Sequence, residues 1–131
     1  VIHLHSISAI CPAFANTQRM FRLNHWEISL DGEGARGRVI SRSVAKGTSR
    51  QVFYPKMVGN AACFGHVQCD SIIMDDAHIE SIPAIVANST EAQLIHEAAI
   101  GKIAGDQLLK LETLGLSPEE AEECILKGFL A

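Results

Sequence analysis

Between Phe21 and Ile95 the chain never sustains an apolar run for long: Gly, Asn, Asp, Ser or Pro cuts each one off within a few residues. That interruption constrains the fold more than any other feature. An amphipathic helix needs apolar positions recurring over ten or so residues, whereas short strands joined by turns need only this pattern. Phe21–Leu30 alternates loosely, with Phe21, Leu23 and His25 on one side and a change of phase near Trp26 that groups Trp26, Ile28 and Leu30. Asp31-Gly32-Glu33-Gly34 reads as a turn, its glycines able to supply positive φ. Val39-Ile40 falls in the next short strand, closed by Lys46-Gly47-Thr48-Ser49. Pro55 withdraws a ladder donor after Val52-Phe53-Tyr54 and reads as a corner or an edge. Val67-Gln68-Cys69, Ser71–Met74, His78-Ile79, Ala84–Val86 and Gln93–Ile95 follow in the same manner.

Small residues mark a beat. Ala61, Ala77 and Ala92 each precede an apolar run, at intervals that stacked parallel strands produce. On the residues alone, a solenoid and a small sandwich or barrel both stay open. With one Trp, one Tyr and five Phe in 131 residues, small and β-branched side chains carry the packing, which suits narrow layers.

After His96-Glu97-Ala98-Ala99 the pattern becomes helical. Leu108, Leu111 and Leu114 share one side of a helix from Asp106, and Gly115 stands where a C′ residue ends it. Ser117-Pro118-Glu119-Glu120 is then a start signal: Ser117 caps, Pro118 fills N1 and Glu120 completes a capping box. The second helix carries Ala121, Cys124 and Ile125 as its apolar stripe and stops at Gly128, with Phe129 beyond. Two helices this short need a packing surface on each other, on the strands or on a partner.

Several function classes lose support. The net charge is -4, and the richest basic stretch (Arg36, Arg38, Arg42, Lys46, Arg50) has the spacing of a solvated or partner-facing strand surface, so nucleic acid is not an expected partner. No apolar run approaches the roughly 20 residues that span a bilayer, and no secretory signal is evident. Cys11, Cys63, Cys69 and Cys124 form no CxxC pair and fit a cytoplasmic setting better than a disulfide framework. The chain opens on Val1 in mid-alternation, as a piece of something longer would.

The stretch from Val67 to Phe129 resembles the carboxy-terminal part of the SufB/SufD family of iron–sulfur cluster assembly proteins. The resemblance is carried by Gln68–Met74, Ile82–Ile85, His96–Ile103, Asp106–Leu108, Leu114–Ser117, Glu119–Ala121 and Gly128-Phe129, in that order. It implies a right-handed parallel β-helix over residues 1–100 and a helical hairpin over 101–131. It also implies that the hairpin docks an ABC-type ATPase subunit (SufC-like) and that the core pairs with a second SufB/SufD-like subunit or with itself. The chain would then be a scaffold for a transient iron–sulfur cluster, with no tightly bound cofactor, and not an enzyme. Members of the family are much longer, so the chain is expected to be a fragment or a reduced homologue. The rival readings are an inert structural interaction module and a small metal-dependent enzyme, the latter requiring His and carboxylate ligands around an open coordination position.

Cys69 leads the candidate chemistry. A thiolate binds iron and can carry a transferred sulfur atom, and the neighbours of Cys69 place it at a strand end or turn where it could be reached. On its chemistry alone a buried structural cysteine is the favoured reading; the resemblance assigns the Cys-Asp-Ser block to cluster assembly or sulfur transfer. Glu97 and His96 can complete an iron site. Adjacent residues of a strand point to opposite faces, so only one of the two is expected to serve any given site. The His-Glu order resembles the SufB type, which favours Glu97, with Cys69 as the companion metal ligand. His66 and His78 are candidates only if stacking brings them near Cys69, and Cys63 only if one coil joins the two sulfurs. Cys11 and Cys124 read as packing residues, and His3 with His5 as an ordinary terminal strand. Leu108, Leu111, Leu114, Ile125 and Phe129 are the expected partner-binding residues.

Overall fold

The computed structural model describes residues 21–131 and the backbone of residues 2–7; Cys11 and the side chains of His3 and His5 lie outside the described residues. The chain is mainly β with two helices at its end. Its elements are β1 (Ile2–Ile7), β2 (Phe21–Leu30), β3 (Arg36–Ala45), β4 (Arg50–Gly59), β5 (Phe64–Ile73), β6 (His78–Ser81), β7 (Ala84–Ala87), β8 (Gln93–Gly101), α1 (Gly105–Thr113) and α2 (Pro118–Leu130).

Strands alternate between two sheets. One sheet has the order β1-β3-β5-β8; the other has β2-β4-β6, with β7 also on β4. Every pairing is parallel. From β2 onward each strand pairs with the chain 28 or 29 residues later: Arg36 with Phe64, Phe64 with Gln93, Phe21 with Arg50, Arg50 with His78. Ala61, Ala77 and Ala92 fall in successive turns, so their beat marks a single crossing, and the chain regains the same sheet only after two.

Stacking at that period sets like on like at the corners. The carboxylate of Asp31 accepts from Asn60 Nδ2 and, at 2.6 Å, from Ser29 Oγ, while Asn88 Nδ2 donates to Asn60 Oδ1 at 2.6 Å. These bonds hold the carboxyl of Asp31 below its ordinary range, the Ser29 bond contributing most.

The strands are longer than the apolar runs suggest. β4 passes straight through Pro55 although it is central in its sheet. The reason lies in its neighbour. Ile82 N–H donates to the Phe53 carbonyl at 2.8 Å, and a continuing parallel ladder would next need an N–H at residue 55. Pro55 has none, and the facing strand breaks there into β6 and β7, with Ile82 and Pro83 in the gap. β2 likewise keeps one parity throughout. The change of phase is chemical, because Arg22 and Asn24 share the inward side with Trp26, Ile28 and Leu30, while Phe21, Leu23 and His25 face outward.

Between the sheets lie two apolar clusters. One gathers Ile28, Leu30, Val39, Met57, Cys63, Val67 and Cys69; the other gathers Ala45, Phe53 and Ile79. Gly65 sits in the first. A Cβ there would crowd Met57 Sδ and come within 3.0 Å of Leu94 and 3.1 Å of Leu30.

The helices form as their caps dictate. Gly115 takes φ +101 and donates to Glu112 O, and Leu116 donates to Leu111 O, closing a Schellman motif. Ser117 Oγ accepts from Glu120 N at 3.2 Å while Glu120 Oε2 accepts from Ser117 N at 2.8 Å. α2 runs on through Gly128 to Leu130, since a lone glycine in a helix costs only about 1 kcal/mol. Its buried side chains are Ala121 and Leu126, with Ile125 half-buried, and Cys124 is exposed, contrary to its expected packing role.

Two glycine substitutions test this packing. Gly65→Ala should lower the unfolding free energy by about 1–3 kcal/mol through overpacking. Gly105→Ala, at the open start of α1 with nothing within 4 Å, should leave it unchanged or raise it by up to ~1 kcal/mol. Urea titrations of both variants measure the difference.

Candidate functional site

β5 and β8 bring four of the candidate residues together, and strand parity sorts them into two pairs. Along β5, Gly65, Val67, Cys69 and Ser71 point into the core, while His66, Gln68 and Asp70 point out. β8 follows in register, with His96 opposite Val67, Glu97 opposite Gln68 and Ala98 opposite Cys69. Cys69 and His96 therefore share the inward face, as diagonal neighbours. His66 and Glu97 share the outward one.

Cys69 lies in the middle of β5, 5% exposed, among Ile28, Val39, Met57 and Val67. It is not at a strand end or turn. The local sequence could not reveal this, because Gln68 and Asp70, which give the segment its polar look, occupy the opposite face. Burial, and then the neighbouring Asp70 charge, push the thiol up from its ordinary 9.0 to about 11, so it is neutral at physiological pH. Cys63 is also buried, but it lies before the first residue of β5. The roughly 16 Å of strand between Phe64 and Cys69 keeps the two sulfurs from sharing one metal ion.

His96 is half-buried, its Nε2 enclosed without a hydrogen-bond partner among the described residues. Burial, and then the nearby His66, push its imidazole down, favouring the neutral ring that can accept a proton or bind a metal.

On the outer face His66 Nε2 stands 3.0 Å from Glu97 Oε2, and Gln68 Nε2 donates to Asp70 Oδ2 at 2.7 Å. Side-chain exposure is 17% for His66 and 62% for Glu97. Stacking thus brings His66 to Glu97 and not to Cys69; His78, on the other sheet, meets neither. Cys69 and Glu97, expected as joint ligands, stand on opposite sides of the sheet. Among the described residues no group of three or more His, Cys, Asp and Glu side chains is placed to hold a metal ion. The His66–Glu97 contact spans 31 residues and becomes visible in the sequence only once the 28–29-residue period is known.

The hairpin supplies a second surface. α2 leans on the outer side of β3, where Val44 is fully buried. Lys46 Nζ pairs with Glu122 at 2.6 Å, and Arg42 Nη1 donates to the Ala131 carbonyl at 2.7 Å. Part of the basic stretch thus serves to hold the chain's own helix. Of the expected partner-binding residues, Leu108, Leu111, Ile125 and Phe129 are half-buried and Leu114 is 72% exposed. Leu109, which the sequence reading passed over, is 61% exposed.

Two parallel sheets followed by a capped helical tail define a mainly β class of protein, and comparison with known proteins gives it a family. Residues 9–129 match the sequence model of the SufBD core domain of the SUF system for FeS cluster assembly. An iron–sulfur cluster assembly SufBD family protein of Pyrococcus horikoshii is 42% identical over 106 residues, covering 79% of this chain and 24% of that protein. A family member from Methanocaldococcus jannaschii is 38% identical over 104 residues, covering 79% of this chain and 33% of its own length. One from Methanothermobacter thermautotrophicus is 34% identical over 106 residues, with 79% and 26% covered. This chain belongs to the SufBD family, and it spans a third or less of the length of these relatives. No described helix is long and apolar enough to cross a membrane.

Burial makes the cysteines unequal. Under native conditions at pH 8, iodoacetamide should modify Cys124 at least about tenfold faster than Cys69 or Cys63, which should react only on unfolding; peptide mass spectrometry reads the order. Because the folded Cys69 thiol titrates above its unfolded value, its stabilising contribution is whole below about pH 9 and is lost as pH rises towards about 11. Cys69→Ala should flatten that alkaline loss of stability.

Proposed function

We propose that the chain is the carboxy-terminal part of a scaffold subunit in SUF iron–sulfur cluster assembly, itself without catalytic turnover and working in the cytoplasm. In this reading the two sheets are coils of a right-handed parallel β-helix. The core pairs with a second SufB/SufD-like subunit or a second copy of itself, and the hairpin docks an ABC-type ATPase.

The observation that carries the proposal is the connection between the enclosed thiol and the tail. One strand, β8, lies between β5 and the free edge of its sheet, and only residues 102–104 separate β8 from α1. A pull on the hairpin reaches β8 directly. Shifting β8 would uncover Cys69 beside His96 from within and present Glu97 with His66 from without. Sulfur would then be received on Cys69: His96 accepts the thiol proton, the thiolate attacks the outer sulfur of a donor persulfide, and the donor leaves as its thiolate, while Glu97 and His66 offer oxygen and nitrogen to iron. The nascent cluster is cargo that forms when the two faces are brought together. In the resting form Cys69 stays protonated and shielded from oxidants.

Leu109 and Leu114 form the exposed part of the docking face, and Leu108, Leu111, Ile125 and Phe129 support it. A purely structural interaction module is the competing reading, and the burial of Cys69 with its raised pKa is the observation that favours it.

Anaerobic reconstitution with iron and sulfide in the presence of the ATPase and nucleotide separates the two. Cys69→Ser should abolish the cluster absorbance with folding and ATPase binding intact, and Glu97→Gln should lower it several-fold. A cluster band unchanged in Cys69→Ser would support the inert module. Leu109→Asp with Leu114→Asp should weaken ATPase binding by about tenfold or more, read by isothermal titration.

A further inference from the structure

The interior between the sheets is not apolar throughout. Ser41, Ser43 and Ser71 are buried on the inward side of β3 and β5, and Gln51 on that of β4 is fully enclosed. The three serines form a polar belt between the two apolar clusters, and Gln51 lies beside Phe53 of the second. Some of this polarity is satisfied within the protein: the Ser43 and Ser71 hydroxyls are 2.8 Å apart, and Gln51 Nε2 donates to the Val44 carbonyl at 3.0 Å.

Besides His96 Nε2, three buried side-chain atoms have no partner among the described residues: Asn24 Nδ2, Gln51 Oε1 and Ser81 Oγ. Register places them in one patch. Asn24 and Ser81 are the two partners of Phe53, one on each side of it, and Gln51 is two residues before Phe53 on the same inward face. Chance burial of three orphaned atoms around one side chain is an expensive arrangement, since each forfeits its hydration.

We propose that the patch around Phe53 is an internal hydration site, holding ordered water at Asn24 Nδ2, Gln51 Oε1 and Ser81 Oγ. The donor set selects the guest. Asn24 Nδ2 is a donor, Gln51 Oε1 an acceptor and Ser81 Oγ both. An anion would be repelled by the Gln51 carbonyl oxygen. A cation would be repelled by the Asn24 amide and by Arg22, the half-buried, inward-facing register partner of Gln51. A neutral molecule that donates and accepts in equal measure fits all three atoms, and water does so in the least space.

The belt adjoins the candidate thiol. Ser41 is the register partner of Cys69 in the neighbouring strand, so the polar belt reaches a sulfur whose other neighbours are largely aliphatic. The water site stands on the polar atoms alone and does not depend on the assembly role.

Crystals of the 131-residue chain that resolve solvent should show ordered density within about 3.2 Å of at least two of the three atoms. Ser81→Ala supplies a second reading of opposite sign for the two cases. If Ser81 Oγ holds water, its removal lowers Tm by roughly 2–6 °C. If the patch is dry, deleting an orphaned hydroxyl leaves Tm unchanged or raises it. Absence of density at all three atoms, or a Tm for Ser81→Ala at or above wild type, overturns the proposal.

Discussion

The parallel ladder between residues 28 or 29 apart is the interaction on which the rest of this structure hangs. It pairs the backbones of the internal strands, and it fixes the period at which side chains meet. A parallel stack sets each position against its equivalent one circuit later, so asparagine meets asparagine at the corner and serine meets serine in the core. The same rule makes Gly65 a place where the core closes tightly around bare backbone. The ladder tolerates Pro55 because the neighbouring strand divides at that point. Two local exceptions, each poor for a strand alone, fit together.

A sheet is also a partition. In the sheet that holds the candidates, the chemistry of its two faces differs at every step along β5: thiol inside, imidazole and carboxylate outside. Desolvation keeps the inner thiol protonated, while Glu97 on the outer face meets solvent. The thiol on one face and the imidazole and carboxylate on the other are held apart by the sheet itself. Among the described strands β8 is an edge of that sheet, and the helical tail follows directly from it.

The tail is held by polar as well as apolar contacts. Lys46 and Arg42 reach α2 from β3, Ala121 and Leu126 are buried, and Leu109 and Leu114 remain in the open. Such a tail is placed by the body of the protein without being absorbed into it. Partly exposed pairs of this kind contribute little stability, so the burial of Ala121 and Leu126 does more to hold the helix.

What the residues settled unaided were the local matters. Gly115, Ser117 and Glu120 fixed where one helix ends and the next begins, because capping bonds reach only three or four residues along the chain. Short interrupted apolar runs fixed strands and turns, and the Cys-Asp-Ser and His-Glu blocks pointed to the family. Strand parity also foretold that His96 and Glu97 would part company. Which face each of them took, and which other residue stood there, was decided by register between strands some thirty residues apart, a quantity no local pattern encodes. That register buried Cys69 where its polar neighbours implied exposure and set His66 against Glu97. It also gathered Asn24, Gln51 and Ser81 around Phe53. Side chains distant in the chain become neighbours only when the ladder aligns them, so the chemistry of this protein is a property of its stacking.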